Sequence, residues 1–159
     1  MTGPRNGPLA LVRYWFLAPL LSLCMVLGVL VVRTQPPASV PSPAADAFFI
    51  AANRLAVAGK FMEAIQAYRQ ALSVKPDLAD AHFAIAMAQS RWGRHAEAVV
   101  SLETFLKLRP NSADAWFVLG NEVRSAGGDN QKAANAFRQA LRLNPRLKAA
   151  EASLNHLRD

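Results

Sequence analysis

The sequence predicts an all-α protein: an array of repeated helix pairs preceded by one membrane-spanning helix. Three observations predict it. Pro76, Pro110 and Pro145 stand 34 and then 35 residues apart, a spacing that marks stacked copies of one small unit. Within each copy the apolar residues recur at i, i+3, i+4 and i+7, the period of an amphipathic helix, and no strand alternation competes with it. Tyr14–Val32 is a run of 19 residues without a charge.

The N-terminal part differs in composition from the rest. Residues 1–44 hold three arginines, no lysine and no acid. Residues 14–32 (YWFLAPLLSLCMVLGVLVV), bracketed by Arg13 and Arg33, would span roughly 28 Å as a helix, close to the hydrocarbon thickness of a bilayer. Tyr14 and Trp15 mark the interfacial edge, and Pro19 lies near the start of the span, where a missing backbone donor matters least. A cleaved signal peptide would need a shorter apolar run followed closely by a small-x-small site; here Ser42-Pro43-Ala44 lies well beyond the run. A lipoprotein reading founders on Leu23 before Cys24 and on the apolar run that continues after it. An uncleaved single-pass anchor is the preferred reading. Arg5, Arg13 and the amino terminus outweigh Arg33, which puts residues 1–13 in the cytoplasm and the repeats outside it, in a bacterium the periplasm. Residues 33–44 include TQPPASVPSP, four prolines in ten residues, a semi-extended tether.

Aligned on the prolines, the copies are Ala45–Leu78, Ala79–Ser112 and Ala113–Leu147. Each opens Ala-Asp-Ala, at residues 45–47, 79–81 and 113–115, and each carries a glycine at its fifteenth position, Gly59, Gly93 and Gly127. The glycine suits a helix C-cap, and the proline cannot continue a helix. Each copy is therefore two antiparallel helices and a tight turn. Asp77 and Asn111, each after a proline, are the expected N-caps. Asp80 and Asp114 fall in the next first turn, where the helix dipole favours negative charge. Residues 148–159 read as a terminal helix, with Leu154 and Leu157 inward and Lys148, Glu151 and Arg158 outward.

These residues resemble the tetratricopeptide repeat. Its pattern asks for Trp, Leu, Gly and Tyr at positions 4, 7, 8 and 11, then Ala, an aromatic, Ala and Pro at 20, 24, 27 and 32. The third copy supplies Trp116, Leu119, Gly120, Ala133, Phe137, Ala140 and Pro145, with one residue inserted within Gly127–Gln131. The first supplies Phe48, Ala64, Tyr68, Ala71 and Pro76; the second is looser, with His82, Ile85, Ala86, Ala98, Leu102, Phe105 and Pro110. The resemblance implies a right-handed α-solenoid of three repeats and a C-terminal capping helix, with the first helix of each repeat lining a concave groove. It implies no cofactor.

Residues 34 apart on those first helices form rows across the expected groove. Phe49, Phe83 and Phe117 make a phenylalanine ladder, and Asn53, Met87 and Asn121 a second row, with Arg91 and Arg124 towards the far end. Such a surface suits a protein or peptide partner with apolar anchors, while packing between neighbouring helices is the competing role for the rings. The row Asp46, Asp80, Asp114 reads as helix-dipole chemistry. Some members of the family grip a C-terminal carboxylate with Lys, Asn and Arg; Asn53 matches one such position, but Phe49, Ala84, Asp80 and Val118 occupy the others. Lys107, on a second helix, is expected on the convex side, and Trp92 is open to either exposure or burial.

Catalytic signals are lacking. His82, His95 and His156 fall in different elements without ligand spacing, and no phosphate loop, Cys-x-x-Cys or paired carboxylates occur. The expected role is thus a membrane-anchored scaffold or adaptor, not an enzyme, with a protein or peptide partner and no small-molecule substrate. The layout resembles the tetratricopeptide parts of cytochrome c maturation factors and of envelope-assembly proteins. The alternative is an anionic-surface or nucleic-acid binder: residues 45–159 hold 15 Lys or Arg against 11 Asp or Glu. That excess is modest and spread over both helices of each repeat, so nucleic acid is not the favoured partner.

Overall fold

The computed structural model describes residues 42–157. The expected cytoplasmic segment 1–13, the spanning helix 14–32, most of the tether and Arg158 lie outside the described residues. Seven helices follow in order: α1 Pro43–Val57, α2 Phe61–Val74, α3 Ala79–Arg91, α4 His95–Leu108, α5 Ala113–Ser125, α6 Asn130–Leu143 and α7 Lys148–His156. Each packs on its neighbours in the chain, and α1 also touches α3. No helix among the described residues is long and apolar enough to cross a membrane.

The turns inside each pair follow the glycines. Gly59, Gly93 and Gly127 have φ of 76°, 78° and 69°, the left-handed region where a side chain is disfavoured. Their N–H groups reach back to the carbonyls of Ala56, Ser90 and Arg124, and the next N–H groups to Leu55, Gln89 and Val123. Both bonds together close the helix C-terminus and satisfy carbonyls that would otherwise be orphaned. The inserted residue of the third copy lies in this turn: α6 begins after Asp129, whose carboxylate accepts from the N–H of Gln131 at 2.8 Å.

Two helix starts differ from expectation. The N-caps of α3 and α5 are Leu78 and Ser112, one residue after Asp77 and Asn111. Pro76 and Asp77 occupy the centre of a turn closed by Leu78 N–H to Lys75 C=O, and proline pre-sets that geometry. Asp77 is therefore spent on the turn. Of these two, only Ser112 caps with its side chain, accepting from Ala115 N–H at 3.3 Å. The first helix also starts earlier than Ala45, because Pro43 fits the first helical turn, where its missing N–H has no intrahelical partner to lose.

Small residues let the helices approach. Ala52, Ala64, Ala71, Ala98, Ala133 and Ala140 are fully buried, as is Phe137. Two apolar clusters form: Ala52, Ile65, Tyr68 and Ile85 in one, Leu102, Phe105, Leu119, Val123 and Phe137 in the other. Helix α3 contributes to both, through Ile85 and Ala88 to the first and Ala79 and Ala86 to the second. It is the shared wall of the array. Leu154 and Leu157 of the terminal segment pack inward against the second cluster, while Lys148 and Glu151 are exposed.

Candidate partner-binding surface

The expected groove residues all lie on α1, α3 and α5. Phe49, Phe83 and Phe117 are half-buried, and each leans on a ring of its own second helix. Phe49 meets Tyr68 with centroids 5.4 Å apart and planes at 55°. Phe83 meets Phe105 at 5.1 Å and 51°, and Phe117 meets Phe137 at 5.9 Å and 45°. Tilted pairs of this kind place a positive ring edge near a negative face and contribute about 0.5–1.5 kcal/mol beyond area burial. In the first and third copies the partner ring stands at the expected aromatic position. In the second that position is Leu102, and Phe105, one turn later, supplies the ring. The ladder is therefore framework on one side and surface on the other.

The second row is less uniform. Asn53 is exposed, and its side-chain carbonyl accepts from Tyr68 Oη at 2.6 Å, leaving the amide N–H groups outward. Burial pushes the Tyr68 hydroxyl above its ordinary range, so it stays a neutral donor. Met87 and Asn121 are half-buried, and Arg91 and Arg124 exposed. Asn121 and Arg124 come together, with Ser125, around a shallow cavity of about 370 Å³. Phe83 and Phe117 pack against one apolar cluster and Phe49 against the other.

Between the second and third copies lies a partly buried polar node that no motif in the sequence marks. Glu122 is 7% exposed; its carboxylate accepts from Ser90 Oγ at 2.7 Å and meets His95 Nδ1 at 2.8 Å. Gln89, 3% exposed, accepts from Ser101 Oγ at 2.7 Å and donates to Glu97 at 3.3 Å. Its polar atoms, like all buried side-chain N and O atoms among the described residues, have partners. His95 is thus a connector between helix pairs.

A few of the charges elsewhere form ion pairs. Arg109 binds Asp80 through two nitrogens at 2.8 and 3.3 Å, so Asp80 ties α3 to the end of α4 besides sitting in a first turn. Lys60–Glu63, Arg94–Glu97 and Lys132–Glu103 are further pairs. Trp92 is 39% exposed, and the Arg94 guanidinium carbon lies 3.9 Å over its ring. Among the described residues no group of three His, Cys, Asp or Glu could hold a metal ion.

A further cleft lies elsewhere. About 550 Å³ opens between α4, α5 and α6, with none of the ladder residues in its wall. Lys107, expected to be an uninvolved convex residue, lines it together with Trp116 and Leu119. Nothing in the repeat pattern flags this cleft, because it arises from how adjacent second helices splay over α5.

Residues 52–91 match the family described as TPR repeat, and residues 79–112 and 113–147 that described as tetratricopeptide repeat. No curated protein matches the sequence significantly. Among solved structures, the second TPR domain of human RPAP3 in complex with the HSP70 peptide SGPTIEEVD superposes with a TM-score of 0.68 at 22% identity, covering 76% of this chain and 99% of that one. The first TPR of Spaghetti (RPAP3), bound to the HSP90 peptide SRMEEVD, gives 0.68 at 21%, over 75% and 94%. The Yersinia enterocolitica type III secretion translocator chaperone SycD gives 0.67 at 12%, over 76% and 96%. At these identities the likeness is one of fold.

Proposed function

We propose that this chain, which belongs to the tetratricopeptide-repeat family through residues 52–147, is a non-catalytic scaffold that takes a protein or peptide partner on the faces of α1, α3 and α5. The observation that carries the reading is the ladder. Phe49, Phe83 and Phe117 are held from behind by Tyr68, Phe105 and Phe137 while remaining half-exposed, so three apolar anchors are presented with little side-chain freedom left to lose on binding. Asn53, Asn121, Arg91 and Arg124 add donors beside them. The peptide complexes of structurally similar domains support a peptide-sized occupant.

The fuller proposal is an adaptor held at a bacterial inner membrane by residues 14–32, N-terminus in the cytoplasm, its repeats serving cytochrome c maturation or the assembly of an envelope complex. The uncharged span, the arginine asymmetry and the proline-rich tether support it.

The test is photo-crosslinking from the full-length protein in its native membranes. A benzophenone side chain at Met87 or Asn121 should capture one discrete partner, and the same group at Gln66, exposed on α2, should not. Equal capture from Gln66 would remove the assignment of the ladder face. Binding that collapses between about 50 and 200 mM salt would favour the anionic-surface alternative instead.

A further inference from the structure

We propose that the outward face of α6 and the turn into α7 form a second interaction surface, separate from the ladder, for an acidic segment of a partner protein. Counted stretch by stretch, the positive excess of residues 45–159 is concentrated rather than spread. Residues 45–129 hold nine Lys or Arg and nine Asp or Glu, and residues 130–159 hold six and two. Equivalent stretches of the three copies sharpen the contrast. Residues 61–81 and 95–115 each hold two cations and three acids, whereas residues 130–150 hold five cations and no acid. Lys132 stands where the other copies have Glu63 and Glu97, and Arg146 where they have Asp77 and Asn111. The helix pair folds with acids at these places, so its framework does not require the cations.

Arg138 and Arg142 are exposed on the side of α6 opposite the buried Ala133, Phe137 and Ala140, one turn or about 6 Å apart. Arg146 and Lys148 follow, both exposed. None of the four forms an ion pair among the described residues. Arg138 donates to Asn135 Oδ1 at 2.7 Å, a neutral acceptor that leaves the charge uncancelled. The acids at hand do not balance the row. Glu103 is taken by Lys132, Asp129 lies at the opposite end of α6, and Glu151, exposed on α7, offsets one cation of the four.

What the row lacks narrows the occupant. No exposed large apolar side chain follows Leu108 among the described residues. A face seated in a membrane surface would offer apolar groups to insert, and single-stranded nucleic acid would need rings on which its bases stack. A nucleic-acid duplex presents phosphates over a broad surface, whereas this row is one helix wide. Guanidinium forks pair bidentately with carboxylates. A row with a one-turn repeat therefore matches an acidic helix with glutamates at i and i+4, selected by charge and spacing.

The test is calorimetric titration of the full-length protein in an uncharged detergent at about 50 mM salt, where exposed charges are weakly screened. The probe is the acetylated and amidated peptide AEAAAEAAAEAA. It should bind saturably, and its AQAAAQAAAQAA counterpart about tenfold more weakly. Arg138→Glu should weaken the probe about fivefold; the second copy carries Glu103 at the same position, so the fold tolerates the change. Arg69→Glu, the equivalent change in the first copy with the same loss of net charge, should leave the affinity unaltered. Arg138→Glu combined with Arg146→Asp, the latter matching Asp77 of the first copy, should abolish binding. Equal binding of the two peptides, or equal losses from Arg138→Glu and Arg69→Glu, would overturn the proposal. Tighter binding of a short single-stranded or duplex DNA than of the glutamate peptide would overturn it in favour of a nucleic-acid surface.

Discussion

At Gly120 a Cβ built on the backbone would stand 2.5 Å from the Phe137 ring, so glycine here is a matter of space, not of backbone conformation. Gly120→Leu should destabilise the array by about 1–3 kcal/mol through overpacking, visible as a lowered Tm; an unchanged Tm would mean that α5 and α6 do not approach as described. Gly93 is the opposite case, with open space around the added atom but φ of +78°. Gly93→Ala should cost about 1 kcal/mol from backbone strain alone, and Gly93→Asn less, because Asn tolerates the left-handed region. Both kinds of glycine were legible from spacing, although spacing alone does not say which constraint each obeys. Tyr68 offers a test by pH. Its folded-state pKa is raised above 10.0 by burial, so the folded state holds the proton more tightly than the unfolded one. The stabilisation is fully present below pH 10 and is lost as pH rises through the raised value. Tyr68→Phe should lose about 1 kcal/mol at neutral pH with the hydrogen bond to Asn53, and its urea midpoint should fall less steeply than that of the unmodified protein between pH 9 and 11. Parallel slopes would show that Tyr68 ionises freely in the folded state.

Helix pairs meet through two kinds of contact, and only one was legible in the sequence. The apolar seams follow from periodicity: alanine at the close-approach positions, aromatics one turn away, and glycine and proline to end each helix. The polar node does not, because Ser90, His95 and Glu122 are separated in the chain and become neighbours only when α5 stacks on α3 and α4. The cleft around Trp116 escapes for the same reason. Asp77 shows a smaller failure, in which two local roles competed for one residue and the proline turn prevailed over the cap. The node makes a measurable claim about coupling between the second and third pairs. Ser90→Ala and Glu122→Ala remove opposite ends of one part-buried hydrogen bond, so a double-mutant cycle on urea stability should show a coupling of about 1 kcal/mol. Additivity within about 0.3 kcal/mol would reduce the node to coincident packing.

For the whole molecule, stability accumulates by stacking, since each helix packs mainly on its sequence neighbours and the array behaves as nearest-neighbour units. The last unit needs a cover. Helix α7 supplies it, with Ala150 fully buried and Leu147, Leu154 and Leu157 against the second apolar cluster. Ending the chain at Asn144 should therefore expose the outer side of α6, lower the Tm and promote self-association, which light scattering would detect; a monomer of unchanged Tm would assign α7 no structural role. The repeats must also act from a fixed place if the adaptor proposal holds. Residues 14–32 carry 19 uncharged residues between arginines, and a transmembrane helix of that length leaves a membrane only when the bilayer is dissolved. The full-length protein should then stay with membranes through high salt and carbonate, both of which remove proteins held by charge, and be released by detergent. A reporter active only outside the cytoplasm, fused after Asp159, should give signal, because Arg5, Arg13 and the amino terminus outweigh Arg33 in retaining the N-terminal side. Release by carbonate would move residues 14–32 from anchor to cleaved or peripheral segment, and a silent reporter in a membrane-bound protein would invert the topology, placing the ladder and the basic row of α6 before cytoplasmic partners.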